Sequence, residues 1–103
     1  MQADTVTVEQ VPARDWQDWA ERTGGTIVDV REPMEWAMGS LSGAIHLPMS
    51  GMPSNLDTLD PTVPLLLICR TGSRSQMVAR YLAANGFAQV ANLMGGLVAL
   101  GLA

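Results

Sequence analysis

This chain of 103 residues has one cysteine, one histidine and no lysine. A lone cysteine excludes an intrachain disulfide and any multi-cysteine metal site. With a single histidine beside it, zinc would lack nitrogen and sulfur ligands, so neither metal nor cofactor is expected. Without lysine, every fixed positive side chain is a guanidinium. Acid is missing from the second half altogether. Residues 1–60 hold all ten carboxylates against Arg14, Arg22 and Arg31, a net charge of −7, whereas residues 61–103 hold only Arg70, Arg74 and Arg80, a net charge of +3. Six arginines on a chain of net charge −4 neutralise too few phosphates to expect nucleic-acid binding. The longest uncharged apolar stretch, residues 87–103, is broken by Gln89, Asn92 and three glycines. A membrane span needs roughly 20 predominantly apolar residues, so none is expected. Nor does the start of the chain show the basic and apolar regions of a secretory signal. The expectation is a cytoplasmic protein whose thiol stays reduced.

What is present reads as one domain over residues 1–103. Hydrophobic residues make up 48% and charged ones 16%, a globular balance, and the length leaves no room for a second core. Residues 5–8 alternate Thr and Val and predict a short strand. Pro12 suits the first position of a helix carrying Trp16, Trp19 and Ala20 on one face, stopped by Gly24 and Gly25. Residues 26–30 predict a strand, 33–38 a short helix with Trp36, and 44–47 a short strand stopped by Pro48. Residues 50–61 read as an irregular or briefly helical connection. The continuous apolar run 64–68 predicts a strand buried on both faces. A helix follows over 74–84, with Met77, Val78, Tyr81 and Leu82 on one side. A last strand is expected over 87–92 and a last short helix over 96–102. Strands alternating with helices mean βαβ units, hence a parallel sheet with helices on both faces. Such sheets bind ligands at the carboxyl ends of their strands.

Chemistry is therefore expected in the segment leaving the most buried strand, Cys69-Arg70-Thr71-Gly72-Ser73-Arg74-Ser75. Four residues including Gly72 can wrap so that successive N–H groups point inward, forming an anion-binding nest. The start of the next helix adds unsatisfied donors and partial positive charge. Arg70 and Arg74 place two charges at the rim. Each feature favours thiolate over thiol, below the free value of about 8.5. A packing cysteine has no need of charge on both sides, so Cys69 reads as a nucleophile beside a cradle for a second anionic atom.

These residues resemble the rhodanese family of single-domain thiosulfate sulfurtransferases. The family's loop, C-R-x-G-x-R/T, matches Cys69 to Arg74 at every defined position. A second match runs from Val28-Asp29-Val30-Arg31-Glu32-Pro33-Met34-Glu35-Trp36 through Gly39 to Gly43-Ala44-Ile45-His46-Leu47-Pro48. Gly95-Gly96-Leu97-Val98-Ala99 is similar to the family's closing motif. The resemblance implies a three-layer α/β/α fold with a mainly parallel five-stranded sheet. It implies a sulfurtransferase in which Cys69 takes the outer sulfur of thiosulfate or a similar small anionic donor, releases sulfite, and passes the sulfur to cyanide or a cellular thiol. Arg70, Thr71, Gly72, Ser73 and Arg74 would bind the donor, and Asp29 and Arg31 would support the site as a structural ion pair. Three positions depart from the pattern. Ser40 stands where the family has His, Leu100 replaces a Trp after the closing glycines, and the chain stops at Ala103 shortly after its last helix begins, as a trimmed domain would.

Other residues have plainer readings. His46 invites a Cys–His dyad, but a His between Ala44-Ile45 and Leu47-Pro48 more simply packs or bonds a turn. Glu32 and Glu35 read as solvated charges near a helix start. Asp29 is also placed to pair with an arginine of the site. Met49, Met52 and Pro53 read as one wall of its pocket, and Arg80 as exposed. Two other functions compete. A cysteine-dependent phosphatase or arsenate reductase uses C-x5-R, one residue longer than the C-x4-R found here, which shrinks the cradle toward a single sulfur. A non-catalytic rhodanese-like binding module would commonly have lost the cysteine that this chain keeps.

Overall fold

The computed structural model describes residues 7–103. Five strands form one sheet in the order β1-β5-β4-β2-β3, and every pairing is parallel. They are β1 Glu9–Pro12, β2 Thr26–Asp29, β3 Ile45–His46, β4 Leu65–Ile68 and β5 Val90–Met94. The helices are α1 Trp16–Thr23, α2 Pro33–Trp36, α3 Ser73–Ala84 and α4 Gly96–Ala99, with short 3-10 turns at Ala13–Asp15, Met49–Gly51 and Ser54–Thr58. The expected α/β sheet is therefore present, wholly parallel rather than mainly so.

β4 lies at the centre, and all four of its residues are buried. Successive side chains of a strand point to opposite faces. Leu65 and Leu67 accordingly join Val28, Val30, Val78 and Leu82 in one core. Leu66 and Ile68 join Val11, Trp19, Ile27, Leu93 and Leu97 in the other. The first core is covered by α3 and the second by α1 and α4, which makes three layers. Trp19 is completely buried in the second core, with Trp16 and Ala20 packed against that core, as their spacing predicts.

Several boundaries move, each for a local reason. Among the described residues the first strand is Glu9–Pro12, with Thr7 and Val8 before it; Thr5 and Val6, the rest of the expected strand, lie outside the described residues. Pro12 closes β1 instead of opening the helix; an edge strand tolerates a residue without an N–H donor. The last strand is displaced to Val90–Met94, because Phe87 and Ala88 spend their N–H groups on Leu82 and Pro61 in a turn. The last helix stops at Ala99, short of residue 102, and Gly101 follows with φ 74°.

Candidate active site

Cys69 is the first residue beyond β4, so the central strand delivers its thiol to the carboxyl edge of the sheet. The loop is pinned from behind. At the start of α4, Leu97 and Val98 donate their N–H groups to the carbonyls of Cys69 and Arg70, both at 3.0 Å. With the carbonyls turned back, the loop amides face the sulfur. Gly96 makes this approach possible: a Cβ there would lie 2.5 Å from the Arg70 carbonyl oxygen and 2.6 Å from that of Cys69. The closing Gly-Gly pair is thus part of the site's scaffold.

The sulfur collects donors. Gly72 N–H lies 3.1 Å from Sγ, Ser75 N–H 3.3 Å and the Ser75 hydroxyl 3.2 Å. Gly72 adopts φ +100°, a conformation L side chains resist, at the residue that opens α3. Sγ therefore occupies the place of an N-cap acceptor, receiving the N–H of the helix's third residue. Two opposing effects act on the thiol. Burial, the largest single one, raises its pKa. The bonds from the Ser75 hydroxyl and from the N–H groups of Ser75, Gly72 and Thr71 together outweigh it, so the thiol is more acidic than an ordinary cysteine.

The two arginines of the loop part company. Arg70 is exposed and, among the described residues, makes no ion pair. Arg74 is half-buried and directs both terminal nitrogens to Glu35, at 2.7 and 2.8 Å. Thr71 and Ser73 are exposed on the loop, their hydroxyls 3.4 Å apart. All five residues expected to bind a donor thus lie on the segment that wraps the sulfur.

Expectations about the acids need correction. Glu35 and Glu32 are not simply solvated. Glu35 grips Arg74, its carboxyl also accepts the Glu32 N–H, and Glu32 bonds the N–H and hydroxyl of Ser50. The Arg74 hydrogen bonds are the main reason that the Glu35 pKa falls to about 2. Nor does Asp29 reach an arginine of the loop. It is fully buried and takes the Arg31 guanidinium at 2.8–3.1 Å, as the resemblance implies, together with the Ser40 hydroxyl at 2.6 Å. Arg31 passes the support on to the Gly39 carbonyl at 2.6 Å. Ser40, in place of the family's His, thus ties its turn directly to Asp29.

His46 stacks on Trp36 with centroids 4.7 Å apart and sets Nε2 2.7 Å from the Arg31 carbonyl oxygen. A carbonyl can only accept, so Nε2 carries hydrogen and the ring bonds a turn, as expected. Met49, Met52 and Pro53 do line a cavity, of about 300 Å³, with Met77, Val78 and Tyr81. No loop residue from Cys69 to Ser75 lines it, so it is distinct from the sulfur's cradle. Sequence reasoning missed four contributors. Ser75 was visible only as one more polar residue after Arg74. Asn92 and Gln10, from β5 and β1, reach the site through folding alone. Glu35 carried a signal in its spacing, because Glu32-Pro33 with a Glu at position 35 spells a capping box.

A thiol at the carboxyl end of a central parallel strand, ringed by amide donors and flanked by arginine, defines an α/β protein built to stabilise charge on sulfur. The family profile described as Rhodanese-like domain matches residues 12–102. The chain belongs to the rhodanese-like family. It is 38% identical over 73 residues to the thiosulfate sulfurtransferase GlpE of Ectopseudomonas mendocina, covering 71% of this chain and 67% of that one. It is 36% identical over 73 residues to a sulfurtransferase of Allochromatium vinosum, covering 71% and 68%. Among solved structures, a rhodanese-like domain protein of Staphylococcus aureus superposes with a TM-score of 0.80 at 32% identity, over 89% of this chain and 90% of that one. At the level of the family, the activity is sulfur transfer.

Proposed function

We propose that the protein carries a sulfane sulfur as a persulfide on Cys69, taken from thiosulfate or a similar small anion and handed to a thiol or cyanide. In the first step the Cys69 thiolate attacks the outer sulfur of the donor. The donor's S–S bond breaks, and sulfite leaves with the electron pair. In the second step the acceptor nucleophile attacks the terminal sulfur of the persulfide, forming thiocyanate or a new persulfide, and Cys69 returns as thiolate. Both steps leave a sulfur anion in the loop, which is why the donor ring matters: preorganised N–H groups stabilise charge without rearranging. Arg70, Thr71, Gly72, Ser73 and Arg74 bind the donor, with exposed Arg70 supplying a charge that makes no ion pair among the described residues. Asp29 and Arg31 hold the neighbouring turn.

The observation that carries this reading is the set of donors converging on Sγ within 3.1–3.3 Å. Mass spectrometry of the intact protein after thiosulfate treatment is the direct test. One added sulfur is expected, removable by cyanide or dithiothreitol and absent in Cys69→Ser. Sulfur uptake that survives in Cys69→Ser, or phosphate-ester hydrolysis without any sulfur uptake, would overturn it.

A further inference from the structure

Behind the sulfur, the Ser75 side chain meets two acceptors with one proton. Its Oγ lies 3.2 Å from Cys69 Sγ and 2.6 Å from Asn92 Oδ1. A hydroxyl has a single hydrogen, so it serves one of them at a time. The chain of contacts continues outward. Asn92 Nδ2 donates to Gln10 Oε1 at 3.1 Å, and Gln10 Nε2 donates to Gln76 Oε1 at 2.7 Å and faces the Val8 carbonyl oxygen at 3.4 Å. Ser75 and Asn92 are buried, whereas Gln10 is exposed on the edge strand. The chain ends in an open cleft of about 470 Å³ lined by Gln10, Gln76, Asn92, Met94 and the outer face of the loop.

We infer that Ser75, Asn92 and Gln10 form a hydrogen-bond switch that follows the charge on Cys69. When the sulfur is a thiol, or is bonded to a second sulfur, Sγ needs no donor. The Ser75 hydrogen then points to Asn92 Oδ1. When Sγ becomes a thiolate, that hydrogen turns to it, because a bond to an ion is roughly twice as strong as one between neutral groups. Asn92 Oδ1 is then left without its donor in a buried site, which costs free energy. The cost falls if the Asn92 amide turns its Nδ2 toward Ser75, and the grip of Gln10 Oε1 on Nδ2 opposes that turn. Asn92 and Gln10 are thus positioning residues that restrain the thiolate through Ser75. No proton travels along the chain; only O–H and amide orientations change, and the thiol's own proton leaves to water. The charged groups around the loop are Arg70 and Arg74, with Glu35 and Glu32 behind Arg74, and the switch needs none of them to change.

The inference rests on Cys69 as the reactive thiol, but its test needs no sulfur donor. The rate of Cys69 alkylation by iodoacetamide is measured against pH in the full chain. Ser75→Ala removes a donor to the thiolate, so alkylation below the thiol pKa should slow roughly tenfold. Asn92→Leu removes the competing acceptor and should act the opposite way, speeding alkylation roughly threefold. Gln10→Leu, on the exposed edge strand, should have the same sign as Asn92→Leu and covers the case in which that variant fails to fold. The plateau at high pH should stay within about twofold throughout, and neither Asn92→Leu nor Gln10→Leu should have an effect once Ser75 is Ala. Slower alkylation in Gln10→Leu or in folded Asn92→Leu, or an acceleration that persists beside Ser75→Ala, would overturn the switch. Either result leaves sulfur uptake from thiosulfate to be judged by its own measurement.

Discussion

Arg74 and Glu35 meet fork to fork, Nη1 to Oε1 at 2.7 Å and Nη2 to Oε2 at 2.8 Å, across 39 residues of sequence. The pair fastens the first turn of α3 to α2. It also divides the positive charge around the sulfur, because Arg74 is neutralised by its partner while Arg70 makes no ion pair among the described residues.

That pairing gives stability a pH dependence of known sign. The folded Glu35 pKa, about 2, lies below its ordinary value of 4.5. The pair's contribution is therefore complete above pH 4.5 and is lost as pH falls toward 2. Partial exposure screens it to about 1 kcal/mol. Urea unfolding of the wild type and Glu35→Gln should differ by that amount at pH 7 and converge near pH 2. A gap that stays constant over this range would show that the carboxylate charge is not what stabilises.

The two loop arginines should fail differently. Arg70→Ala should raise the KM for thiosulfate and flatten its salt dependence, since an exposed charge attracts the dianion mainly through screened long-range force. Arg74→Ala should also lower kcat, because it releases the start of α3 that carries Ser75. Steady-state kinetics at two ionic strengths separates these effects, and unchanged values in both variants would assign donor binding to the backbone alone.

Gly96→Ala tests the scaffold behind the loop. At φ +59° the new Cβ would meet the carbonyls of Arg70 and Cys69 at 2.5–2.6 Å, so backbone must move. A left-handed non-glycine residue alone costs about 1–3 kcal/mol. The expected outcome is a folded, less stable protein with slow Cys69 alkylation at neutral pH. Normal alkylation would mean that the loop holds its shape without α4.

Arg31→Met should destabilise by about 3–5 kcal/mol, the range for leaving a buried charge unpaired. Among the described residues, Asp29 would keep the Ser40 hydroxyl and the backbone N–H of residue 31. Asp29→Asn with Arg31→Met should recover part of the loss, measured by chemical denaturation. If the single variant costs under about 1 kcal/mol, the pair contributes little to the fold.

Much of the fold was legible because its signals are local. The buried run at Leu65–Ile68, the β-branched stretch at Thr26–Asp29 and the Gly-rich breaks each depend only on neighbouring residues. The short strands and helices at the edges were misjudged by a few positions, since edge pairing and turn bonds decide where those elements stop. The thiol that the proposal makes reactive stood out for a similar reason: Cys69 through Arg74 is one continuous segment between strand and helix, and its donors and charges are read from adjacent residue types.

What surrounds that atom was decided only by tertiary structure. Glu35, Asn92, Gln10 and Gly96 come from α2, β5, β1 and the start of α4, and they meet the loop because a parallel sheet brings the ends of its strands to one edge. Side-chain bonds between such distant residues leave no period in the sequence. A carboxylate bound to arginine and one bound to water are spelled alike, so Glu35 read as solvated until the packing of α2 beside α3 showed its partner. Local residue patterns were enough to specify a parallel α/β domain with a thiol in the loop after its central strand; folding decided which charges that thiol feels and which hydroxyl it shares with Asn92.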